Sequence, residues 1–182
     1  MPELPQNIVA DLKDENKRDL AFHTLVNTYK ERLYWHIRKM VMNHDDTDDI
    51  LQNTFLKVWR SIDNFREESS LYTWLYRIAT NESITFINAK KKKNMMPLNE
   101  VSEYLMDNLM SDPYFEGDEI QLKLQQAIVR LPEKQRIVFN LKYFDEMKYD
   151  DMAVVLETSV GALKASYHHA AKKVEQYLKD ID

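Results

Sequence analysis

The chain contains no cysteine among its 182 residues, which excludes a disulfide framework and any thiolate-held metal centre. Glycine is nearly absent too. With 2 glycines and 5 prolines, the punctuation that strands and tight turns need is missing, so long helices are favoured. No apolar run approaches the roughly 18 residues that read as a membrane-spanning helix. The opening, MPELPQNIVADLKDE, lacks the basic start and apolar centre of a secretory signal. These absences predict a soluble cytoplasmic protein of all-α class. What is present suits that class: apolar residues make up 44% of the chain, enough for packed cores, and the length fits one domain or two small ones.

Charge of one sign is missing locally. The formal net charge is -5, yet residues 94–120 hold seven acids and no Lys or Arg, and contain Pro97, Pro113 and Gly117. Residues 69–93 hold five basic residues against Glu82 alone, and residues 160–174 hold no acid. A polyanionic partner would therefore meet two basic surfaces separated by an acidic connector. The predicted organisation is a lead-in over 1–18, a helical domain over 19–93, an acidic linker over 94–120 and a second helical domain over 121–182.

The stretch Lys148 to Val174 reads as two short helices and a tight turn. Met152, Ala153 and Leu156 supply apolar positions in the first, with Asp150 and Asp151 in its opening turn, where the helix dipole favours negative charge. Glu157-Thr158-Ser159 breaks the pattern, and Ser159 is a good N-cap for the next helix. There Val160, Leu163, Tyr167, Ala170 or Ala171, Val174 and Leu178 share one face. The opposite face holds Gly161, Lys164, Ala165, His168 and Lys172. A small, basic, acid-free outer helix set across a turn from its partner is what major-groove reading requires. Plain helical bundles also contain such hairpins, so context decides.

Earlier in the chain, Leu20, Leu25, Tyr29, Leu33, Ile37 and Val41 predict a long amphipathic helix from about Asp19. A second helix, capped by Thr47 or Asp48, turns Ile50, Leu51, Phe55, Val58, Trp59 and Ile62 inward and ends near Asp63-Asn64. Ser69 or Ser70 caps the third, LYTWLYRIATNESITFINAKKKK. Its core-facing set is Leu71, Trp74, Leu75, Ile78, Ala79, Ile84 and Ile87. Tyr72, Thr73, Tyr76, Arg77, Thr80, Asn81, Thr85 and Asn88 form a second face, aromatic and polar, that runs into Lys90 to Lys93. A lysine run alone suits a solvated helix end; beside aromatic residues it also suits a groove for single-stranded nucleic acid. In the connector, Leu105, Met106 and Leu109 predict a short amphipathic turn. From Gln121 a helix bearing Leu122, Leu124, Ile128 and Leu131 stops at Pro132, and another spans Glu133 to Tyr143. With the hairpin they make a four-helix domain.

Two blocks, DDILQNTFLKVWRSIDNF followed by REESSLYTWLYRIATN, and LPEKQRIVFNLKYFDEMKYDDMAVVLETSVGALKASYHHAAKKV, resemble the two modules of bacterial extracytoplasmic-function sigma factors, over about residues 19–93 and 121–178. The resemblance implies a non-enzymatic, cofactor-free and metal-free factor that binds the beta and beta-prime subunits of core RNA polymerase and directs promoter-specific initiation. It implies core-polymerase contacts at Asp48, Asp49, Gln52, Asn53 and Phe55. It implies that the loop and third helix capture and melt the minus-10 element, through Phe65, Arg66, Ser69, Tyr72, Trp74, Tyr76, Arg77, Asn81, Lys90, Lys91 and Lys92; by spacing, Trp74 fits the core equally well. The hairpin would read the minus-35 element in duplex DNA, through Tyr149, Ser159, Gly161, Lys164, His168, His169, Lys172 and Lys173. Glu157 stands where the family commonly has glycine, and Ser166 and His169 stand where it commonly has arginine. With fewer arginines, bidentate guanine contacts are fewer, and no base preference carries over. An anti-sigma partner is expected, and a monomeric free state.

Two other classes compete. An autonomous helix-turn-helix regulator would dimerise through the last domain alone; it leaves the front module without a purpose. A metal-dependent hydrolase is suggested by His44-Asp45 with Asp46, Asp48 and Asp49, but further His and Asp at helical spacing are lacking. A solvated interhelical loop accounts for that cluster better.

Overall fold

The computed structural model describes residues 4–94, 97, 100–115 and 117–181. Pro2 of the lead-in, Met95, Met96, Leu98, Asn99 and Glu116 of the connector, and the terminal Asp182 lie outside the described residues. Within them the chain forms α1 (Ile8–Lys13), α2 (Arg18–Val41), α3 (His44–Ser61), α4 (Leu71–Lys93), α5 (Val101–Met110), α6 (Glu119–Val129), α7 (Glu133–Tyr143), α8 (Tyr149–Leu156) and α9 (Val160–Ile181). A 3-10 turn, Ile62–Asn64, extends α3.

The front bundle is α1 to α4. In α2 the stripe Leu25, Tyr29, Leu33, Ile37 and Val41 is buried as its spacing predicts, whereas Leu20, expected to begin that stripe, is exposed. Met42 ends α2 in the left-handed region, its N–H bonding the carbonyl of Arg38. This sharp stop brings the next helix in early. Asn43, not Thr47 or Asp48, is the N-cap of α3: its side chain accepts from the Asp46 N–H at 2.9 Å. Thr47 lies inside α3, buried, and its hydroxyl donates to the Asn43 carbonyl at 2.6 Å. Ser70 caps α4 by accepting from the Thr73 N–H at 3.1 Å. The lead-in contains a short helix docked on the bundle. Ile8 and Leu12, four apart, are buried against α2, and the Lys13 ammonium donates to the Phe65 carbonyl at 2.7 Å.

The acidic connector contains a full helix rather than a single turn. Val101, Leu105 and Leu109 recur every four residues and are buried, while Glu103 and Asp107 face solvent. Asn108 Nδ2 donates to the Val41 carbonyl at 3.2 Å, and Arg38 pairs with Asp112. These bonds strap the connector across the end of α2.

The rear bundle is α6 to α9. Leu163, Ala170 and Val174 of α9 are buried and Tyr167 half-buried, the last three packing with Ala127, Ile128, Leu131 and Phe139. A larger cluster crosses the whole molecule: from Leu25 and Leu75 in front, through Leu105, to Leu141, Met152 and Leu163 behind. Front and rear bundles thus share apolar core rather than hanging on a free linker. The shared packing runs chiefly between α4 and α8, with α2 against α7 and α5 against α6.

Candidate nucleic-acid interface

The outer face of α9 is open. Gly161, Lys164, Ala165, His168, His169, Lys172 and Lys173 are exposed, and Ser166 is half-buried. The Ser159 hydroxyl accepts from the Ala162 N–H at 3.3 Å, which caps the helix at the end presented first. Because Val160, Leu163, Ala170 and Val174 take the inner side at spacings of three and four, the basic residues are forced outward together. A Cβ added at Gly161 would meet nothing within 4 Å, so its bare backbone leaves the outer surface flat there. Tyr149 sits half-buried at the α8 end, its ring centroid 5.0 Å from the Lys142 ammonium and 5.7 Å from that of Lys164. Lys173 leans the other way, donating to Gln135 Oε1 at 3.0 Å. The turn before α9 is carried by Glu157 at φ 50 and ψ 44, in the left-handed region that costs a residue with a Cβ about 1–2 kcal/mol.

The second face of α4 is divided. Its far half, with Asn81, Thr85 and Asn88, is exposed, as are Lys92 and Arg66. Its near half is covered. Tyr76 is 2% exposed, packed on His36 at 4.8 Å and on Tyr72 at 4.5 Å between ring centroids, and Thr73 and Thr80 are fully buried. Burial and the nearby Asp145 carboxylate push the Tyr72 phenol up to about 12 and that of Tyr76 well above its usual range. Arg77 is half-buried and pairs with Glu157; Lys91 pairs with Glu133 at 2.6 Å, and Lys90 approaches Asp46 at 3.6 Å. Phe65 is buried and packs on the half-buried Trp74 with 4.9 Å between centroids. Ser69 is half-buried. The structure therefore brings Arg66, Ser69, Trp74, Arg77, Asn81, Lys90, Lys91 and Lys92 to or near a surface, and keeps Phe65 and Tyr76 inside.

On α3, Asp48, Asp49, Gln52 and Asn53 line one exposed strip. Phe55 does not belong to it. At 9% exposure it points into the front bundle, edge-on to Phe22 with 6.3 Å between centroids. The apolar residue on the exposed strip is its neighbour Leu56, 45% exposed, four residues beyond Gln52. Sequence reasoning passed over Leu56, although its absence from the inward set Ile50, Leu51, Phe55, Val58, Trp59 and Ile62 marked it as the odd apolar residue on a polar face. The cluster near His44 reduces to one pair. His44 Nε2 lies 3.5 Å from Asp48 Oδ2 and its Nδ1 bonds Tyr34 at 2.6 Å, Asp45 and Asp49 face solvent, and among the described residues no group of three or more His, Asp or Glu is placed to hold a metal ion. Nor, among them, is any helix long and apolar enough to cross a membrane.

This geometry, two packed helical bundles of which the second ends in a helix-turn-helix with a basic outer helix, defines a DNA-binding class of all-α protein. Comparison with known proteins identifies the class more closely. Residues 25–93 match the family Sigma-70 region 2, and residues 121–174 match Sigma-70, region 4. The ECF RNA polymerase sigma factor SigW of Bacillus subtilis is 31% identical over 169 residues, covering 88% of this chain and 90% of that protein. The RNA polymerase sigma-H factor of Pseudomonas aeruginosa is 28% identical over 187 residues, covering 98% and 96%. The chain belongs to the extracytoplasmic-function group of the sigma-70 family, the RNA polymerase sigma factors. Two solved structures share its fold. CnrH in complex with the cytosolic domain of CnrY has a TM-score of 0.70 at 22% identity, covering 96% of this chain and 97% of that one. The sigma factor RpoE of Bartonella quintana, in complex with the anti-sigma factor NepR, has a TM-score of 0.69 at 20% identity, covering 87% and 96%.

Proposed function

We propose that this chain acts in the cytoplasm by binding core RNA polymerase through the exposed strip of α3 and directing it to promoters that region 4 and region 2 read at the minus-35 and minus-10 elements. Residues 19–93 act as region 2 and 121–182 as region 4, joined by the connector. On α3, Asp48, Asp49, Gln52 and Asn53 supply carboxylates and amides for a basic partner helix, and Leu56 supplies the apolar contact that Phe55, being buried, does not. Region 4 presents Lys164, His168, His169, Lys172 and Lys173 to the major groove and its phosphates, with Tyr149, Ser159 and Gly161 at the leading end. Region 2 presents Arg66, Ser69, Trp74, Arg77, Asn81 and Lys90 to Lys92, and uses Tyr72 and Tyr76 once they are uncovered.

Melting needs no chemistry. Unstacking a base costs a few kcal/mol, and stacking it on protein recovers on the order of 1 to 3 kcal/mol per base, so captured bases offset the opening of the duplex. The observation that carries the reading is the pairing of an acid-free exposed face on α9 with an acid-and-amide face on α3, one suited to DNA and the other to a basic protein helix. An anti-sigma protein is proposed as a further partner, since CnrH and the Bartonella factor were solved with CnrY and NepR. Transcription in vitro with purified core polymerase on a genomic promoter library tests the proposal. Initiation at a discrete set of promoters, absent with core alone, is expected; no specific initiation overturns it. Gel filtration separates it from an autonomous helix-turn-helix regulator, which would run as a dimer and ignore the polymerase.

A further inference from the structure

The stem of the loop Phe65–Ser70 is gripped from outside by two cations, one at the end of α1 and one at the start of α2. The Lys13 ammonium donates to the Phe65 carbonyl at 2.7 Å. The Arg18 guanidinium donates to the Trp59 carbonyl at 2.6 Å and to Asp63 Oδ2 at 3.2 Å, and lies 4.6 Å from the centroid of the Trp59 ring. Trp59 belongs to the last turn of α3, where carbonyls run short of partners within the helix. One cation thus holds the chain where it leaves α3, and the other where it enters the loop. Both act on backbone oxygens, so the grip fixes the path of the chain itself. We infer that the lead-in is a working part of the minus-10 reader: Lys13 and Arg18 are positioning residues that set the loop stem so that Arg66, Ser69 and Trp74 meet an unpaired base.

The loop does not set this posture by itself. Among the described residues the side chains of Arg66, Glu67 and Glu68 form no hydrogen bond or ion pair, and all three are exposed. Glu67 also takes a positive φ of 57, a conformation disfavoured for a residue with a Cβ. Order comes from the two stems. At the far one, Ser70 accepts from the Thr73 N–H at 3.1 Å and fastens the chain to α4. At the near one, Phe65 is buried, with its ring on Trp74 and its carbonyl on Lys13. Lys13 is anchored in turn. Ile8 and Leu12, on the same short helix, are buried in one apolar cluster with Ile62, Phe65 and Leu71, so a shift of α1 shifts the stem.

The brace has work to do only if the loop captures bases, as proposed for region 2, and the test keeps the two apart. The full chain is assembled with core polymerase on a promoter from which the wild type initiates, and the rate at which minus-10 thymines become reactive to permanganate is followed. Lys13→Met and Lys13→Arg are compared in the wild-type loop and in a chain also carrying Arg66→Ala and Ser69→Ala. Expected for Lys13→Met is about tenfold slower opening, the low end of what losing a hydrogen bond to a charged group costs, with Lys13→Arg close to wild type. In the loop-variant background the same substitution should slow opening by less than about twofold further, because a positioning residue has nothing to position once the capturing groups are gone. Co-elution with core polymerase and the footprint at the minus-35 element should match wild type. Lys17→Met, whose side chain pairs only with Asp11, is the control and should open the promoter normally. Arg18→Met should follow the pattern of Lys13→Met, and Lys13→Met decides the matter where Arg18→Met fails to fold. Opening by Lys13→Met at the wild-type rate overturns the brace. Equal slowing in both loop backgrounds overturns it too, and makes Lys13 a stabilising residue of the bundle only. If Arg66→Ala with Ser69→Ala opens the promoter at the wild-type rate, the capturing role of the loop is what fails, and the brace falls with it.

Discussion

Charge reversal at Lys164 gives the sharpest test of the reading face. Lys164 lies in the second turn of α9, exposed, with its ammonium 5.7 Å from the Tyr149 ring. Lys164→Glu introduces the sole acid between residues 160 and 174. Its effect on the fold should be small. An exposed cation–π contact of about 0.5–1 kcal/mol is lost. The helix dipole, whose effect fades within the first turn, returns little of that. The effect on DNA should be larger. A lost base or phosphate contact costs about 1–3 kcal/mol, and a carboxylate about 6 Å from a phosphate adds about 0.7 kcal/mol of repulsion even at the dielectric of water. The sum, about 2–4 kcal/mol, is a roughly 30- to 1,000-fold loss of promoter affinity. Neutralising one phosphate contact also flattens the salt dependence by about 0.9 in log–log slope. Footprinting of the holoenzyme over a salt series reads both, with circular dichroism melting as the check on folding. Lys134→Glu, a reversal at an exposed position on α7 rather than on the reading face, is the control and should leave the footprint intact. If Lys164→Glu melts like wild type yet footprints and transcribes unchanged, α9 does not read DNA through this face.

Other perturbations probe separate parts of the chain. Leu56→Arg should leave the melting temperature unchanged and weaken co-elution with core polymerase about 5- to 30-fold, the loss of about 1–2 kcal/mol typical of an apolar interface residue; undiminished co-elution would remove Leu56 from the polymerase face. Leu105→Ala deletes the centre of the α5 stripe, a side chain with 0% exposure, and should cost about 2–5 kcal/mol by chemical denaturation. A cost below about 0.5 kcal/mol would mean the connector is not strapped to the core. Glu157→Gly relieves about 1–2 kcal/mol of backbone strain and forfeits an exposed ion pair worth about 0–1 kcal/mol, so stability should rise. A fall would place more weight on the Arg77 pair than surface electrostatics allows.

Much of the architecture is legible in residue spacing, and the exceptions have a common cause. The stripe from Leu25 to Val41 follows from 3.6-residue periodicity, and the start of α7 from Pro132. The acids and prolines of the lead-in and connector resemble loop, whereas Ile8 with Leu12, and Val101 with Leu105 and Leu109, keep a four-residue repeat that a neighbouring core can use. The cap of α3 moved because Met42 accepts a left-handed conformation that its side chain gives no reason to expect.

The harder case is α4, which carries two stripes. Its apolar stripe marked a core face, but its hydroxyls and tyrosines looked solvent-facing, since polar groups are buried only where each finds a partner. Here the partners exist 78 residues away for Thr73, in Asp151, and 44 residues away for Thr80, in His36. Local pattern cannot supply that information. What it can supply is the chemistry of the surface: donors and aromatic rings without carboxylates describe a receptor for something polyanionic. A promoter strand meets that description, and the carboxylates of Asp151, Glu157 and Glu133, which bond Thr73, Arg77 and Lys91 of α4, meet it as well.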